Sequence, residues 1–265
     1  MTTLTALPHS APRAPRAVVI GTFVRRSALH SVRNAEALLM AVLLPTMLML
    51  LFTYVFGGAI APDGNYVTYV VPGIILLCAG FGAASTAVEV TQDMTTGIID
   101  RFRTMPIPAT AVLTGHVVAS LLRNLAATAM VIVVGLLVGF RPNATALEWL
   151  AAVGLVALYI LAITWVFAAI GLATGSPEAA SGYGFILLFL PYLSSAFVPV
   201  STMPDWLQWV CQHQPITPII ETIRGLLTGT PIGESGLVAV LWCVGILAAA
   251  IVWATWLFRR RAGRR

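Results

Sequence analysis

The sequence contains no lysine, and only 9% of its 265 residues carry a charge. A soluble domain usually has about a quarter charged residues, so this chain cannot cover a water-facing surface of ordinary composition. Hydrophobic residues make up 58% of the chain, and the mean hydropathy is +0.91. The solvent of this chain is therefore expected to be largely lipid.

Motifs of several functional classes are also missing. No GxxxxGK[ST] segment is present, so the chain is not expected to bind ATP through a P-loop of its own. The three cysteines are widely spaced, and no run of His, Cys and Glu has the spacing of a metal site. The net charge of +5 comes from arginines beside apolar runs rather than from a basic face with interleaved aromatics, which argues against nucleic acid. We therefore predict no cofactor, metal or nucleic acid on this chain.

One short motif tests the possibility of an intramembrane enzyme. The residues Gly233-Glu234-Ser235-Gly236 match the GxSG pattern around the serine of rhomboid proteases. A serine nucleophile needs an adjacent base, and all four histidines precede Ser235, so none lies in a later span. The motif is better explained as a turn that opens the last helix, and no catalytic residue is predicted.

Six segments are apolar and long enough to cross a bilayer, which takes roughly 20 residues. Backbone groups in lipid must pair within their own segment, so each is expected to be a helix. The predicted spans are 37–56, 67–88, 111–140, 149–173, 179–198 and 236–258.

The distribution of arginine predicts the orientation of these spans. Thirteen of the fifteen arginines lie before the first span, around the loop between the second and third, or in the C-terminal tail. Only Arg141 and Arg224 fall on the other side. The positive-inside rule therefore places both termini in the cytoplasm, with residues 1–16 as a disordered tail and 259–265 as a basic tail.

Three stretches do not span. Residues 17–35 fit an amphipathic helix in the interface, or a basic flank that only fixes topology. Residues 199–235 are too apolar for a simple loop and too broken by Pro and Gly to cross, which predicts short helices on the outer side. Within them Glu221 and Arg224 are three residues apart and can pair on one helix face.

Arg123 is the charged residue that lies deepest within a predicted span, and its side chain can snorkel to the cytoplasmic interface.

The third stretch, 89–110, is the only sizeable internal cytoplasmic loop. Met94, Ile98, Phe102 and Met105 fall on one face of a helix that the following prolines end. Such a helix can seat on a partner protein or lie on the membrane, and the pattern alone leaves both possibilities open.

Three blocks of sequence stand out together and in order. They are Val71-Pro72-Gly73-Ile74, a D-x-x-x-G-x-x-D-R-F-R-x-x-P segment from Asp93 to Pro106, and Met203-Pro204-Asp205-Trp206-Leu207. In this order and spacing the chain resembles the ABC-2 type membrane subunits of bacterial ABC transporters, specifically the daunorubicin-resistance permease group. The resemblance runs over residues 17–258.

The resemblance implies an all-α membrane protein with a six-span ABC-2 (type V exporter-like) bundle. It also implies an N-terminal interfacial helix, short outer helices between spans five and six, and a cytoplasmic coupling helix that docks on a separate ATPase subunit. Two copies of that ATPase would carry ATP and Mg²⁺, and a second permease copy or a paralogue would complete the transporter. The residues assigned to the coupling loop are Asp93, Gly97, Asp100, Arg101, Phe102, Arg103 and Pro106.

The resemblance further implies a substrate path at the dimer axis, lined in part by spans two and five. The candidate residues are Phe81, Ser85, Tyr183, Phe189, Ser194 and Ser195, for which plain packing is the alternative. The expected function is the permease of an ATP-driven exporter in the bacterial plasma membrane, moving amphipathic drugs, antibiotics or lipid-like compounds. Export of a lipid-linked glycan or another lipid is a second possibility, and a non-transporting membrane anchor for a partner ATPase is a third.

Overall fold

The computed structural model of the chain describes residues 35–60, 66–96 and 109–262, and all the regular elements in these ranges are helices. Five helical segments there are long and apolar enough to cross a membrane, which confirms the prediction of an all-α membrane protein. The α-helices are α1 Ala35–Leu51, α2 Gly57–Ile60, α3 Tyr66–Thr95, α4 Ala109–Val138, α5 Ala146–Ala173, α6 Pro177–Leu187, α7 Asp205–His213, α8 Ile216–Thr228 and α9 Ser235–Ala262.

The first candidate span is not one regular helix. A π-helical turn at Phe52–Phe56 joins α1 to α2, so the apolar segment Ala41–Ile60 runs on without a break. The Phe52 ring stacks on Phe197 with the two ring centroids 4.3 Å apart. The predicted interfacial helix at 17–35 and the tail 1–16 lie outside the described residues, apart from Ala35.

Helix α3 is the centre of the bundle and packs against α1, α4, α5, α6 and α8. Its side chains from Val70 to Ala79 are almost wholly buried within the chain. Lipid tails are as apolar as leucine, so this packing is stabilised by close van der Waals contact rather than by exclusion of water. Small residues on α3 permit that approach, and Gly73 and Gly82 are two of them.

Gly73 meets the backbone of the segment after α6. A Cβ atom at this position would lie 2.6 Å from the Cβ of Ala196 and 2.8 Å from its Cα. Because these atoms are backbone or directly attached to it, they cannot move aside cheaply. The glycine is therefore required by close approach.

We expect Gly73→Ala to lower the free energy of unfolding by about 1–3 kcal/mol, the usual cost of overpacking. Gly154→Ala is the matched control, because a Cβ at Gly154 in α5 meets nothing within 4 Å. That substitution should be neutral or stabilise by up to about 1 kcal/mol through helix propensity. Urea unfolding in mixed micelles measures both changes, and equal effects of the two substitutions would contradict the packing argument.

The predicted span 179–198 differs from a single helix. Helix α6 ends at Leu187, a 3₁₀ turn follows at Leu190–Leu193, and the chain then continues without regular structure to Pro199. Pro191 explains the end of α6, because a proline clashes with the carbonyl four residues earlier, which here is that of Leu187. The apolar composition predicted that this segment crosses the membrane, but it did not predict that the helix ends partway along it.

This broken segment nevertheless follows α3 for most of its length. Gly184 lies beside Ala84, and Leu188 lies beside Gly80. At the far end, the Tyr66 hydroxyl donates to the carbonyl of Phe197 over 2.8 Å. From position 84 to position 66 a helix rises about 27 Å, close to the thickness of a hydrocarbon core.

The bundle has two distinct ends. We call one end the cap end: it holds α7, α8, the start of α3 and the α4–α5 connection. In that connection the backbone N–H of Asn143 donates to the Leu227 carbonyl. The loop end is the opposite one, where α3 ends and α4 begins. An apolar cluster that includes Val90, Leu113, Leu172 and Phe258 closes the bundle towards the loop end.

Candidate functional site

Four ionisable side chains meet between α3 and α4 near the loop end. Arg123 Nη1 lies 2.8 Å from Glu89 Oε1, and Arg123 Nη2 donates to Ser85 Oγ over 2.9 Å. His116 Nε2 lies 3.0 Å from Asp93 Oδ2, and its Nδ1 lies 3.7 Å from Glu89 Oε2. We call these five residues the loop-end cluster.

Helical spacing explains why the cluster forms. Ser85, Glu89 and Asp93 are four apart, so they share one face of α3. His116 and Arg123 are seven apart, which is nearly two turns, so they share one face of α4. The packing of α3 on α4 then places the two acids against the two bases.

A second layer of polar contacts continues from the loop-end cluster towards the middle of the bundle. Thr86 donates to Ser120 over 2.9 Å, and the Asn124 amide donates to the same hydroxyl over 3.2 Å. Asn124 lies directly against Gly82, where any side chain would overlap it. The absence of a Cβ at Gly82 is what admits this polar side chain between the two helices.

The loop-end cluster is largely withdrawn from solvent. The side chains of Arg123, His116, Asp93 and Glu89 are 9%, 12%, 16% and 27% exposed. Charges at such sites are held by pairing, because an unpaired charge in a medium of low polarity is costly. Arg123 therefore pairs with Glu89 on α3, which differs from the predicted snorkelling of a lone side chain.

The cluster was not predicted from the sequence. Glu89 and Asp93 fall in the predicted loop 89–110, whereas His116 and Arg123 fall in the predicted span 111–140. The sequence did hold one sign of the cluster: Ser85, Glu89 and Asp93 repeat every four residues, and His116 and Arg123 are seven residues apart. It becomes informative only once the two helices are known to pack together.

The predicted coupling residues are divided by the limits of the described structure. Asp93 is described and belongs to the loop-end cluster, three residues before the chain passes out of the described range after Thr96. The others lie outside the described residues, and their docking role stays a prediction. They are Gly97, Asp100, Arg101, Phe102, Arg103 and Pro106.

The six residues predicted to line a path do not share one surface. Tyr183 and Phe189 are 59% and 52% exposed on and just after α6. Phe81 packs against the main core, while Ser85 belongs to the loop-end cluster. Ser194 and Ser195 are buried after the break in the fifth predicted span. The structure therefore does not bring this set together, and its assignment to a path stays a prediction.

At the cap end a buried arginine joins three parts of the chain. Arg224 on α8 donates to the carbonyls of Tyr69 and Ser195, with its Nη2 at 3.1 and 2.7 Å, and its guanidinium lies 3.9 Å from the centre of the Tyr69 ring. The Tyr69 hydroxyl donates to the Ser195 carbonyl over 2.9 Å. We call Tyr66, Tyr69, Ser195, Phe197 and Arg224 the cap clamp.

The cap clamp supplies hydrogen bonds that the broken segment cannot make within a helix. Carbonyls that leave a helix in lipid need partners from neighbouring elements. Desolvation lowers the pKa of Arg224 from its usual value, yet a guanidinium stays charged in proteins. Arg224 is predicted from the sequence to pair with Glu221, but in the structure it donates to the carbonyls of Tyr69 and Ser195. Glu221 accepts from the Ser235 hydroxyl over 3.4 Å.

Comparison with known proteins places these features in context. Residues 18–228 match the model of the ABC-2 type transporter family, a range that includes the loop-end cluster and the cap clamp. The chain is 33% identical, over 208 residues, to a daunorubicin resistance ABC transporter permease protein of Streptomyces coeruleorubidus, covering 78% of this chain and 71% of that protein. A probable doxorubicin resistance ABC transporter permease protein of Mycobacterium tuberculosis (strain CDC 1551 / Oshkosh) is 24% identical over 252 residues, covering 94% and 91%.

A third relative is similar over a comparable range. A putative transport permease of Porphyra purpurea is 24% identical over 219 residues, which is 80% of this chain and 74% of that protein. All three relatives are named as permeases, and two are named for resistance to daunorubicin or doxorubicin.

Proposed function

The chain belongs to the ABC-2 type transporter family. From that premise we propose that it is the permease subunit of an ATP-driven exporter, whose cytoplasmic motor docks on the stretch 89–110. The observation that carries this proposal is the loop-end cluster. Ion pairs tie α3 to α4 on both sides of the predicted docking loop. A push on that loop would therefore move the two helices together.

The proposed orientation puts the loop end in the cytoplasm and the cap end outside. Thirteen of the fifteen arginines then lie on the cytoplasmic side, as the positive-inside rule requires. The broken segment that starts with α6 serves as a crossing in this arrangement, because it follows α3 for about 27 Å. With the five long helices this makes six crossings, with both termini in the cytoplasm of a bacterium.

ATP hydrolysis is assigned to a separate subunit. The sequence has no P-loop, so ATP and Mg²⁺ would be held by two copies of a cytoplasmic ATPase that meet the loop between α3 and α4. Phe102 would provide an apolar anchor, and Asp100, Arg101 and Arg103 would orient the contact. The chain itself would need no catalytic residue.

A second permease copy or a paralogue would cover the outward face of α6. Tyr183, Phe185, Ile186 and Phe189 are each more than half exposed along this face. Two such faces opposite one another would form an aromatic-lined route between subunits. Tyr183 and Phe189 are the path residues whose exposure suits this role.

The proposed cargo is an amphipathic drug or a lipid-like compound. Two relatives are named for resistance to daunorubicin and doxorubicin, and the exposed aromatic face of α6 suits a flat apolar molecule. Export of a lipid-linked glycan is the alternative within transport. A non-transporting anchor for a partner ATPase is the alternative of another class.

The test is ATPase activity of the permease and its ATPase, reconstituted together in lipid vesicles. We expect lipophilic amine and quinone drugs to raise the rate of ATP hydrolysis several-fold and to be accumulated in inside-out vesicles. Replacement of Asp100 and Arg101 together by alanine should abolish accumulation and co-purification of the ATPase, because both groups belong to the proposed docking contact.

Arg141→Ala is the matched control, since Arg141 is exposed at the cap end, away from the loop. Co-purification and accumulation that survive in the Asp100/Arg101 variant would overturn the docking assignment. ATP hydrolysis without accumulation of any drug, lipid or glycan would favour the anchor.

A further inference from the structure

An apolar pocket lies inside the bundle, in its cap-end half, and the proposed export cycle does not use it. The pocket has a volume of about 200 Å³. Four helices form its walls, and the lining includes Ile75 of α3, Ala129 of α4, Val156 of α5 and Ile223 of α8. It therefore differs from the exposed face of α6, where the cargo is proposed to pass.

The pocket opens on the outer surface of the bundle between α4 and α5. Ala129 and Val153 line it and are exposed on these two helices, both of which are long and apolar enough to cross a membrane. Further in, Ala152 and Val156 are 3% and 5% exposed, and Ile223 is fully buried. We call Ala129 and Val153 the mouth of the pocket, and Ala152, Val156 and Ile223 its floor.

The depth of the pocket matches that of one leaflet of a bilayer. Helix α5 begins at the cap end with Ala146. At 1.5 Å per residue, Trp149 and Val156, which both line the pocket, lie about 5 Å and about 15 Å along this helix. Half of a hydrocarbon core is about 15 Å thick. The mouth therefore lies at the level of the acyl chains of the cap-end leaflet.

Water is a poor occupant of this pocket. A buried water needs about 2–4 polar partners, and apolar cavities stay dry. Thr128 and Trp149 are the lining residues with a polar side-chain atom, and the Thr128 hydroxyl oxygen is itself buried. A single indole N–H is too little to hold a water molecule, and a polar ligand would find no better partners.

Hydrocarbon is the occupant that suits the volume and the lining. An empty pocket is unfavourable, because side chains around a void lose dispersion contacts on one side. An apolar cavity of about 150 Å³ binds benzene, so the 200 Å³ of this pocket accommodates a somewhat larger piece of hydrocarbon. The surrounding membrane supplies such hydrocarbon at the mouth in large excess.

We propose that the pocket holds a stretch of one acyl chain from a bilayer phospholipid of the cap-end leaflet. The chain would enter between Ala129 and Val153 and contact the floor. Ile223 directly precedes Arg224 of the cap clamp, so the chain would support the helix that carries this arginine. Binding of the chain requires neither the ATPase nor a cargo, and its test is therefore separate from that of the proposed function.

The test is photolabelling of the full-length chain in phosphatidylcholine nanodiscs. A small fraction of the lipid carries a diazirine in the middle of one acyl chain, and peptide mass spectrometry locates the adducts after illumination. We expect adducts at Ala152 and Val156, which a lipid reaches only through the mouth. Leu137, which is 81% exposed, reports ordinary contact with lipid, whereas Ile160, which is 0% exposed and does not line the pocket, reports the background.

Two matched pairs of variants test the route of entry. Ala129→Phe places a ring across the mouth and should lower labelling of the floor, relative to Leu137, at least fivefold. Its control is Ala126→Phe, because Ala126 is exposed on the same helix and does not line the pocket. On α5, Val153→Phe should act like Ala129→Phe, and Leu150→Phe is its control, since Leu150 is 69% exposed and lies outside the lining.

Three results would overturn the proposal. The first is labelling of the floor no stronger than that of Ile160 in the unaltered protein, which is expected if the pocket is closed or a second copy of the chain covers its mouth. The second is unchanged labelling of the floor in both mouth variants. The third is an equal loss of labelling in the control variants.

Discussion

Arg224→Ala is expected to lower the free energy of unfolding by about 3 kcal/mol, a value typical of losing hydrogen bonds to a charged group. The substitution removes charged donors from the carbonyls of Tyr69 and Ser195 and a guanidinium stacked on the Tyr69 ring. These contacts join α8, α3 and the broken segment, which has few backbone hydrogen bonds of its own. Urea unfolding in mixed micelles measures the change.

Arg141→Ala is the control for the loss of a cap-end arginine. Arg141 is exposed and donates to the carbonyls of Leu136 and Phe140 in its own connection, so its loss should cost less than about 0.5 kcal/mol. Arg224→Lys keeps the charge but not the planar fork, and should fall between the two. If Arg224→Ala costs no more than Arg141→Ala, the cap clamp does not hold the broken segment.

At the loop end, Glu89→Gln and Arg123→Gln are each expected to cost about 3 kcal/mol, because each removes one charge of the 2.8 Å ion pair that joins α3 to α4 away from solvent. The double variant should cost clearly less than the sum of the single ones, since it removes both charges. ATP-driven accumulation should fall at least tenfold in each single variant while the ATPase subunit still co-purifies. Unfolding in micelles and transport in vesicles measure the two effects.

A matched cycle on the neutral pair Thr86 and Ser120 separates charge from packing. These two hydroxyls bridge the same helices one turn away over 2.9 Å. Thr86→Val with Ser120→Ala should show a coupling energy of about 0.5–1 kcal/mol, as for an ordinary hydrogen bond. Equal coupling energies for the two pairs would contradict a special role for the ion pair.

Apolarity predicted the long helices well and their ends less well. The predicted span 67–88 became a helix from Tyr66 to Thr95, because hydropathy marks the part in lipid and a helix can continue beyond it. For the segment 179–198, hydropathy predicted a single helix, whereas the helix in the structure ends at Leu187. Pro191 was visible in the sequence, but the chain can continue without a helix only where neighbours bond its carbonyls, as the cap clamp does for Ser195 and Phe197.

The polar contacts were largely beyond sequence reasoning. A local partner for Arg224 was predicted three residues away, whereas the structure uses carbonyls 155 and 29 residues away. Spacing along one helix shows which residues share a face but not which helix that face meets. The loop-end cluster depends on the packing of α3 against α4, and that packing was not predicted.

One arginine hydrogen-bonds to helix α3 near each of its ends, Arg123 near the loop end and Arg224 at the cap end. Its 30 residues make a rod of about 45 Å. A rod of that length, tilted by about 10° around its midpoint, swings each tip by about 4 Å. In the proposed exporter, α3 would therefore act as a lever, and a small push at the loop end would displace the cap end.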